Sequence, residues 1–216
     1  MTEEEGSDTG MSMWVAQVHR QRSMLLCVGM VALSALPPLS AHAIDLHPTA
    51  KKIQTAINQG KVAAQQGIAP DSFYVRFGVS DAVTPRGFLI TKLGALSVLA
   101  THMALRGLQP SEADVAQVLN AQTMVVSATI FGNAPDFAVN SYMVLEQHGK
   151  VIKPATVRFD ARAEHSARWP NAPMYKAKVV ASFNYRDFDP MAQTMISVLP
   201  ATGGEASFPM SFVEID

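Results

Sequence analysis

The chain has almost no cysteine, and this scarcity excludes two classes of protein. Cys27 is the only cysteine among the 216 residues, and it lies in an apolar run near the N-terminus. The residues before it, Met24, Leu25 and Leu26, lack the small side chains that precede a lipid-modified cysteine. Beyond residue 43, neither a disulfide framework nor a thiol nucleophile is possible. That part of the chain must be held together by a hydrophobic core, which a domain of this size can build.

Motifs of the common enzyme and metal-site classes are also missing. The sequence contains no G-x-S-x-G elbow, no G-x-x-x-x-G-K phosphate loop and no H-x-H or H-E-x-x-H pair. The histidines beyond residue 43 are scattered: His47, His102, His148 and His165. Asp136, Asp187 and Asp189 could offer oxygens to calcium, but an aspartate directly before a proline, as at 189, is typical of a turn. We therefore predict no catalytic residue, no metal and no cofactor.

The sequence also lacks an excess of charge of one sign. Lysine and arginine number 17 against 18 aspartate and glutamate residues, a formal net charge of -1. Beyond the N-terminal region, the basic residues form no cluster larger than Lys51-Lys52. Nucleic acids and anionic lipid surfaces select proteins with a basic patch. The sequence therefore predicts neither kind of partner.

The first 43 residues have the pattern of a cleaved signal peptide. A basic flank with Arg20 and Arg22 precedes an apolar run over residues 24–36, and Ala41-His42-Ala43 matches an A-x-A cleavage site. The run is too short to span a membrane, because Pro37-Pro38 ends it. We expect cleavage after Ala43 and no membrane span afterwards. Since the chain also lacks an N-x-S/T glycosylation site, we predict a bacterial protein that is periplasmic or secreted.

Residues 44–121 are predicted to be mostly helical. Helices are expected at 48–66, 88–106 and 111–121, with a short strand at 73–77. The 88–106 stretch is apolar almost all round, but Lys92 and His102 would be costly inside lipid. We therefore expect a core helix covered by one face of the sheet structure that follows.

Residues 122–216 are predicted to form a β-sandwich, because the apolar period changes from helical to alternating near Ala121. The clearest alternation places one set of side chains on a single face: Ala177, Val179, Ala181, Phe183 and Tyr185. Six strands are expected, at 122–132, 140–147, 150–159, 174–185, 194–199 and 206–215. Pro154 should place the third at a sheet edge or a bulge. The predicted fold class is α+β, with N-terminal helices packed on a C-terminal antiparallel β-sandwich of immunoglobulin-like size.

The loop at 160–173 is the one place where polar side chains and a large aromatic residue converge. Its candidate binding residues are Arg162, Glu164, His165, Arg168 and Trp169. Loops on a rigid sandwich often carry recognition, and arginine with tryptophan is enriched at binding hot spots. A second interpretation places Trp169 under the sheet as a plug, with both arginines solvated or paired to Asp160 and Glu164.

Three functions remain open on these residues. The first is an exported, non-enzymatic binding or structural protein of the cell envelope, whose partner is an unknown envelope protein. The second is an envelope hydrolase that uses His165 and Glu164 with a third group. The third is a carrier of a small apolar ligand, held in a cavity between the 88–106 helix and the sheet.

Overall fold

The computed structural model describes residues 44–215, and the predicted signal peptide at 1–43 lies outside the described residues. Three α-helices occur in this range, and a side-chain hydroxyl caps each of them at its first turn. Their bounds are α1 (Ala50–Gln65), α2 (Lys92–Ala104) and α3 (Glu112–Leu119). The caps are Thr49, Thr91 and Ser111, each accepting a hydrogen bond from a backbone N–H of the first turn. A short 3-10 helix, Pro70–Phe73, follows α1.

Ten antiparallel strands form two sheets in the described range. The strands are β1 (Val75–Gly78), β2 (Arg86–Ile90), β3 (Thr123–Gly132), β4 (Tyr142–Gln147), β5 (Lys150–Ile152), β6 (Thr156–Phe159), β7 (Glu164–His165), β8 (Tyr175–Asn184), β9 (Gln193–Leu199) and β10 (Ala206–Ser211). The first sheet has the order β1-β2-β3-β8-β6, with β7 also paired to β8. The second sheet has the order β10-β9-β4-β5. The structure is therefore α+β, with the sheets in a sandwich-like arrangement.

The core lies between the two sheets, where alternation in the sequence predicts it. Ala177, Val179, Ala181 and Phe183 of β8 are all buried. They belong to one apolar cluster with Leu145 of β4 and Ile196 of β9 in the second sheet, among others. β8 is paired along both edges, to β3 on one side and to β6 and β7 on the other. This strand is therefore the fixed centre of the first sheet.

The prediction of one helix over 88–106 is wrong at its N-terminal end. Residues 86–90 form β2, in which Leu89 is buried in the sandwich core while Phe88 lies on the outer face. There Phe88 stacks on Tyr74, with ring centroids 4.5 Å apart. Both faces of β2 are apolar, so its side chains do not alternate between apolar and polar. Periodicity therefore cannot distinguish β2 from the apolar helix α2 that follows it.

The expected cover of α2 by the sheet is also corrected, because α1 covers one side of this helix. The Ser97 hydroxyl donates a hydrogen bond to the Ala56 carbonyl oxygen at 3.0 Å. Gly60 permits the close approach, since a β-carbon there would overlap the Ser97 carbonyl and the Ala100 side chain. The apolar cluster between the sheets contains no residue of α1, α2 or α3. The helix pair thus has a small contact layer of its own.

Both α2 and α3 lie in the connection between two neighbouring strands. β2 ends at Ile90, and β3 returns beside it from Thr123 in antiparallel register, with Ile90 opposite Val125. The change of period near Ala121 therefore marks the start of β3, and β1 and β2 complete the sheet from before that point. The strand predicted at 150–159 is divided at Pro154: β5 is an edge of the second sheet and β6 an edge of the first. Proline suits this crossing, because it cannot donate to a ladder.

Candidate functional site

The loop between β6 and β8, residues 160–174, is anchored at both ends and is called the Trp169 loop below. At its start, the Asp160 carboxylate accepts a hydrogen bond from the Lys178 backbone N–H at 2.7 Å. Ala163 is buried, and its N–H donates to the Pro135 carbonyl at 2.7 Å. Near its end, the Ser166 N–H donates to the Met174 carbonyl at 2.8 Å. These bonds hold the loop against the end of β8.

The short strand β7 positions an aromatic stack inside this loop. His165 pairs with Tyr175 across the β7–β8 ladder. The imidazole of His165 lies flat against the indole of Trp169, with centroids 4.6 Å apart and an interplanar angle of 24°. The Tyr175 ring meets the same imidazole at 5.5 Å in a tilted geometry. Aromatic pairs of this kind contribute beyond the area they bury, so the stack orients Trp169.

Trp169 is 51% exposed, so the interpretation of this residue as a buried plug is wrong. Its backbone N–H donates to the Ser166 carbonyl at 3.2 Å. The peptide bond between Trp169 and Pro170 is cis. About half of the indole therefore faces solvent while its position is fixed by the imidazole and the loop backbone.

The charged residues of the loop are exposed and do not converge. The Glu164 carboxylate pairs with the Lys176 ammonium at 3.2 Å, rather than with an arginine. Arg168 reaches only the Ala172 carbonyl, at 3.5 Å, and Arg162 is exposed to solvent. Both guanidinium groups are exposed, and the loop also carries the carboxylates of Asp160 and Glu164.

Glu164 and His165 do not form a catalytic pair. They are successive residues of a strand, so their side chains point to opposite sides of the sheet. Within residues 44–215, no hydrogen bond joins either side chain to the other or to a serine or aspartate. The geometry that a hydrolase built on Glu164 and His165 would need is therefore missing from the part of the chain that the structure describes.

The aspartates considered for calcium serve a turn. The Asp187 carboxylate accepts from the Asn184 side-chain amide at 2.7 Å, and the Asp189 carboxylate accepts from the Met191 N–H at 2.8 Å. Among the described residues, no three histidine, cysteine, aspartate or glutamate side chains cluster closely enough to hold a metal ion.

A second concave site, called the Tyr185 cleft below, lies beyond the other end of β8. Its volume is about 450 Å³. The walls come from α2, α3 and β3, through Ala95 and Leu99, Val118 and Val125, with Lys92 and Tyr185 at one side. The carrier hypothesis requires a cavity between the 88–106 helix and the sheet, and α2 and β3 both border this cleft. The sequence pattern places Tyr185 on the inward face of its strand and assigns it no binding role.

Lys92 is almost fully buried beside the Tyr185 cleft. Its ammonium donates to the Leu46 carbonyl at 3.1 Å and to the Leu119 carbonyl at 2.6 Å. The same group lies 5.1 Å from the centroid of the Tyr185 ring, in cation–π range. Lys92 therefore connects Leu46, near the start of the described residues, and Leu119, at the end of α3, to Tyr185, which follows β8.

Burial raises the pKa of the Tyr185 phenol to about 12. Its backbone N–H donates to the Gln122 carbonyl at 3.0 Å, which extends the β3–β8 ladder by one residue. The phenol thus stays protonated, and able to donate a hydrogen bond, at any physiological pH.

None of the described helices has both the length and the apolar character that crossing a membrane requires. No family model matches the sequence, and no curated protein matches it either. The archaellum periplasmic stator protein FlaG from Sulfolobus acidocaldarius is similar in structure over 42% of this chain and 88% of that chain, at 11% identity and a TM-score of 0.30. A structure of the archaellum periplasmic stator protein complex FlaF and FlaG from the same organism gives 12% identity, 41% and 77% coverage and a TM-score of 0.25. Scores this low carry no argument about function.

Proposed function

We propose that this protein is an exported, non-enzymatic binding or structural protein of the bacterial cell envelope, periplasmic or secreted. In this proposal, cleavage after Ala43 removes residues 1–43. The helical part at 44–121 and the β-sandwich of immunoglobulin-like size at 122–216 remain as one protein. The Trp169 loop is its contact surface for a protein partner in the envelope.

The half-exposed indole of Trp169 is the observation that carries this proposal. Tryptophan and arginine dominate the energetics of protein interfaces, and the loop presents Trp169 beside Arg168, with Arg162 and His165 near it. The stack on His165 fixes the indole before any partner arrives, which lowers the entropy cost of association. A binding surface, unlike a hydrolytic site, does not require Glu164 and His165 to face each other.

The proposal is tested by capture of partners from an envelope fraction of the producing cells. The exported protein is immobilised, and its captured proteins are compared with those of the Trp169→Ala and Leu108→Ala variants. Leu108 is a matched control, because it is as exposed as Trp169 but lies after α2, outside the loop. We expect a partner whose affinity falls at least about thirtyfold with Trp169→Ala and is unchanged with Leu108→Ala. Equal capture by all three proteins would reject the loop as the contact surface.

Export is tested separately by sequencing the N-terminus of the protein recovered outside the cytoplasm. We expect the mature chain to begin at Ile44. An Ala43→Arg variant should accumulate as precursor, because the A-x-A pattern requires a small residue next to the cut. A mature protein that keeps residues 1–43 would contradict the proposal.

A second candidate function is that of a carrier for a small apolar ligand. The Tyr185 cleft supports it, since about 450 Å³ falls in the size range of small-molecule sites and most of its walls are apolar. The hydrolase alternative has no comparable support in residues 44–215, because the carboxylate of Glu164 is directed to Lys176 and away from His165.

A further inference from the structure

The Tyr185 hydroxyl is a polar group that is left without a partner next to the cleft. Tyr185 is only 9% exposed, and its hydroxyl makes no hydrogen bond to any described residue. Ser141 Oγ is the one fully buried side-chain oxygen or nitrogen without a partner in residues 44–215. The Tyr185 oxygen is therefore not fully buried, and Tyr185 is one of the residues that line the cleft.

The charged groups of the same cleft are already engaged. The Lys92 ammonium has three hydrogens, and it faces two carbonyl oxygens and the Tyr185 ring. The Asp114 carboxylate on the α3 wall accepts hydrogen bonds from the Ser111 hydroxyl and the Ser111 N–H. Of Lys92, Asp114 and Tyr185, only the Tyr185 hydroxyl is therefore available to donate a hydrogen bond to a ligand. Thr91, Gln117 and Thr123 complete the polar part of the lining.

We propose, resting on the carrier function above, that the Tyr185 cleft binds an uncharged, mainly apolar small molecule through one acceptor oxygen, such as a ketone or ester carbonyl, which the Tyr185 hydroxyl hydrogen-bonds. The apolar body of the ligand lies against Leu99, Val118 and Val125. The ligand carbonyl accepts the hydrogen bond that the phenol can donate, so removal of the hydroxyl should weaken binding.

An anionic ligand fits the cleft less well than a neutral one. Two of the three Lys92 hydrogens are bonded to the protein's own carbonyls, and the ammonium faces the Tyr185 ring, so a carboxylate would have to displace one of these contacts to pair with it. It would also approach the Asp114 carboxylate on the opposite wall. Two grooves beside α1, of about 530 and 580 Å³, are larger. The cleft differs from them in that a tyrosine whose hydroxyl has no hydrogen-bond partner among residues 44–215 lines it.

The test uses prodan, a neutral fluorescent naphthyl ketone whose emission moves to the blue in apolar surroundings. It is titrated into the purified protein and into four variants: Ala95→Phe, Ala121→Phe, Tyr185→Phe and Tyr142→Phe. The first two fill the cleft, one from the α2 wall and one from the exposed rim, so at least one of them should fold normally. Tyr142→Phe is the matched control, because it removes a hydroxyl from β4 in the other sheet. Near-ultraviolet circular dichroism verifies the fold of each variant.

We expect saturable binding that is lost in the folded cleft-filling variants, weakened about three- to tenfold by Tyr185→Phe, and unchanged by Tyr142→Phe. Acetylnaphthalene should displace prodan at lower concentration than naphthoate, which has the same rings with a carboxylate in place of the ketone.

Three results would overturn different parts of the proposal and of the carrier function on which it rests. No binding, or binding that survives both filled clefts, would overturn the carrier function together with the proposal. Binding that is lost in the filled clefts but unchanged by Tyr185→Phe would leave the carrier function standing and overturn the role of the phenol. Stronger displacement by naphthoate would overturn the assignment of a neutral ligand.

Discussion

The two candidate sites lie at opposite ends of one strand, and a tyrosine marks each end. Tyr175 is the first residue of β8, while Tyr185 directly follows its last. A strand of 10 residues spans about 33 Å, so the two sites are separated by the full length of the sheet. At the Tyr175 end, the aromatic groups form an exposed stack on a loop. At the Tyr185 end, the phenol is buried beside a concave cleft.

The difference between the two ends follows from how each is built. The Trp169 loop takes two residues of its stack, His165 and Trp169, from one short segment, and Tyr175 of β8 adds the third ring, so the stack lies at the exposed end of the strand. The Tyr185 cleft takes its walls from α2, α3 and β3, which border a concave space that is open to solvent on one side. An exposed surface of aromatic and arginine side chains suits a protein partner, whereas a concave, mainly apolar space suits a small molecule. The paired strand β8 holds both in fixed positions.

The sharpest contrast is expected between Phe183, inside β8, and Trp169, outside it. Phe183 is fully buried, so Phe183→Ala should lower the free energy of unfolding by about 3–5 kcal/mol. Trp169→Ala should lower it by less than about 1 kcal/mol, because half of the indole is already in water. Urea unfolding followed by circular dichroism measures both values. A similar decrease in the free energy of unfolding for the two variants would mean that Trp169 supports the core. The contrast between β8 as scaffold and the Trp169 loop as contact surface would then fail.

The buried phenol should make stability depend on alkaline pH. Below about pH 10, the folded and unfolded chains both keep the Tyr185 proton. Between about pH 10 and the folded pKa of about 12, the unfolded chain loses this proton while the folded protein keeps it, so the free energy of unfolding falls as pH rises. The expected loss is about 2 kcal/mol. Tyr185→Phe should remove this part of the slope.

Tyr142→Phe serves as the control for this titration, because its hydroxyl lies on the exposed face of β4. Lysines also lose protons in the same range, so the result is the difference in slope between each variant and the natural protein. If Tyr185→Phe leaves the pH dependence of the free energy of unfolding unchanged, the phenol is as well solvated in the folded protein as in the unfolded chain. The contrast between a buried cleft end and an exposed loop end of β8 would then fail.

The sequence predicts the loop end of β8 better than the cleft end, for a physical reason. Alternation identifies β8 and its inward residues, because one face is buried and the other is not. The loop follows from composition, since Arg162, Trp169 and the residues between them are contiguous. Tyr175, by contrast, joins the stack only through the β7–β8 register, which composition does not specify.

The cleft is lined by α2, α3 and β3, and the local sequence of each element does not determine how the three are placed relative to one another. The carrier hypothesis places a cavity between an apolar helix and the sheet, but the sequence pattern assigns Phe88–Ile90 to that helix, because both faces of β2 are apolar. Because the sequence pattern does not reveal β2, it also does not show that α2 and α3 connect two neighbouring strands, β2 and β3, of one sheet. The contact between Lys92 and Tyr185, 93 positions apart in the chain numbering, could not be expected from either residue alone.

A smaller effect is expected from His165, which supports one face of the Trp169 indole. His165→Ala should expose more of the ring and weaken partner binding by about 0.5–1.5 kcal/mol, the range for an aromatic pair. Trp14 and Trp169 are the two tryptophans of the chain, so a mature protein that begins at Ile44 reports on Trp169 alone. Quenching of its emission by acrylamide should increase. Tyr175→Phe is the control, because it keeps the aromatic ring and should leave the quenching of Trp169 unchanged. If quenching increases as much in Tyr175→Phe as in His165→Ala, the cause is disorder of the loop and not loss of the stack.

The smallest effect concerns the α3 wall of the cleft, which begins at a capping box. Ser111 Oγ accepts from the Asp114 N–H, and the Asp114 carboxylate accepts from the Ser111 N–H. Ser111→Ala should lower the free energy of unfolding by about 0.5–1 kcal/mol, while Ser111→Asn, another good cap, should restore most of it.

Acid should remove part of this difference between the Ser111 variants. Hydrogen bonds from the Ser111 side chain and backbone lower the pKa of Asp114, so its contribution is complete above the ordinary aspartate range and is lost as pH falls through the lowered value. The gap between the natural protein and Ser111→Ala should therefore narrow in acid. A gap that persists at low pH would mean that the hydroxyl, and not the carboxylate, caps α3. Because α3 forms one wall of the cleft while the Trp169 loop adjoins the other end of β8, prodan affinity should fall slightly in Ser111→Ala and partner binding should not change.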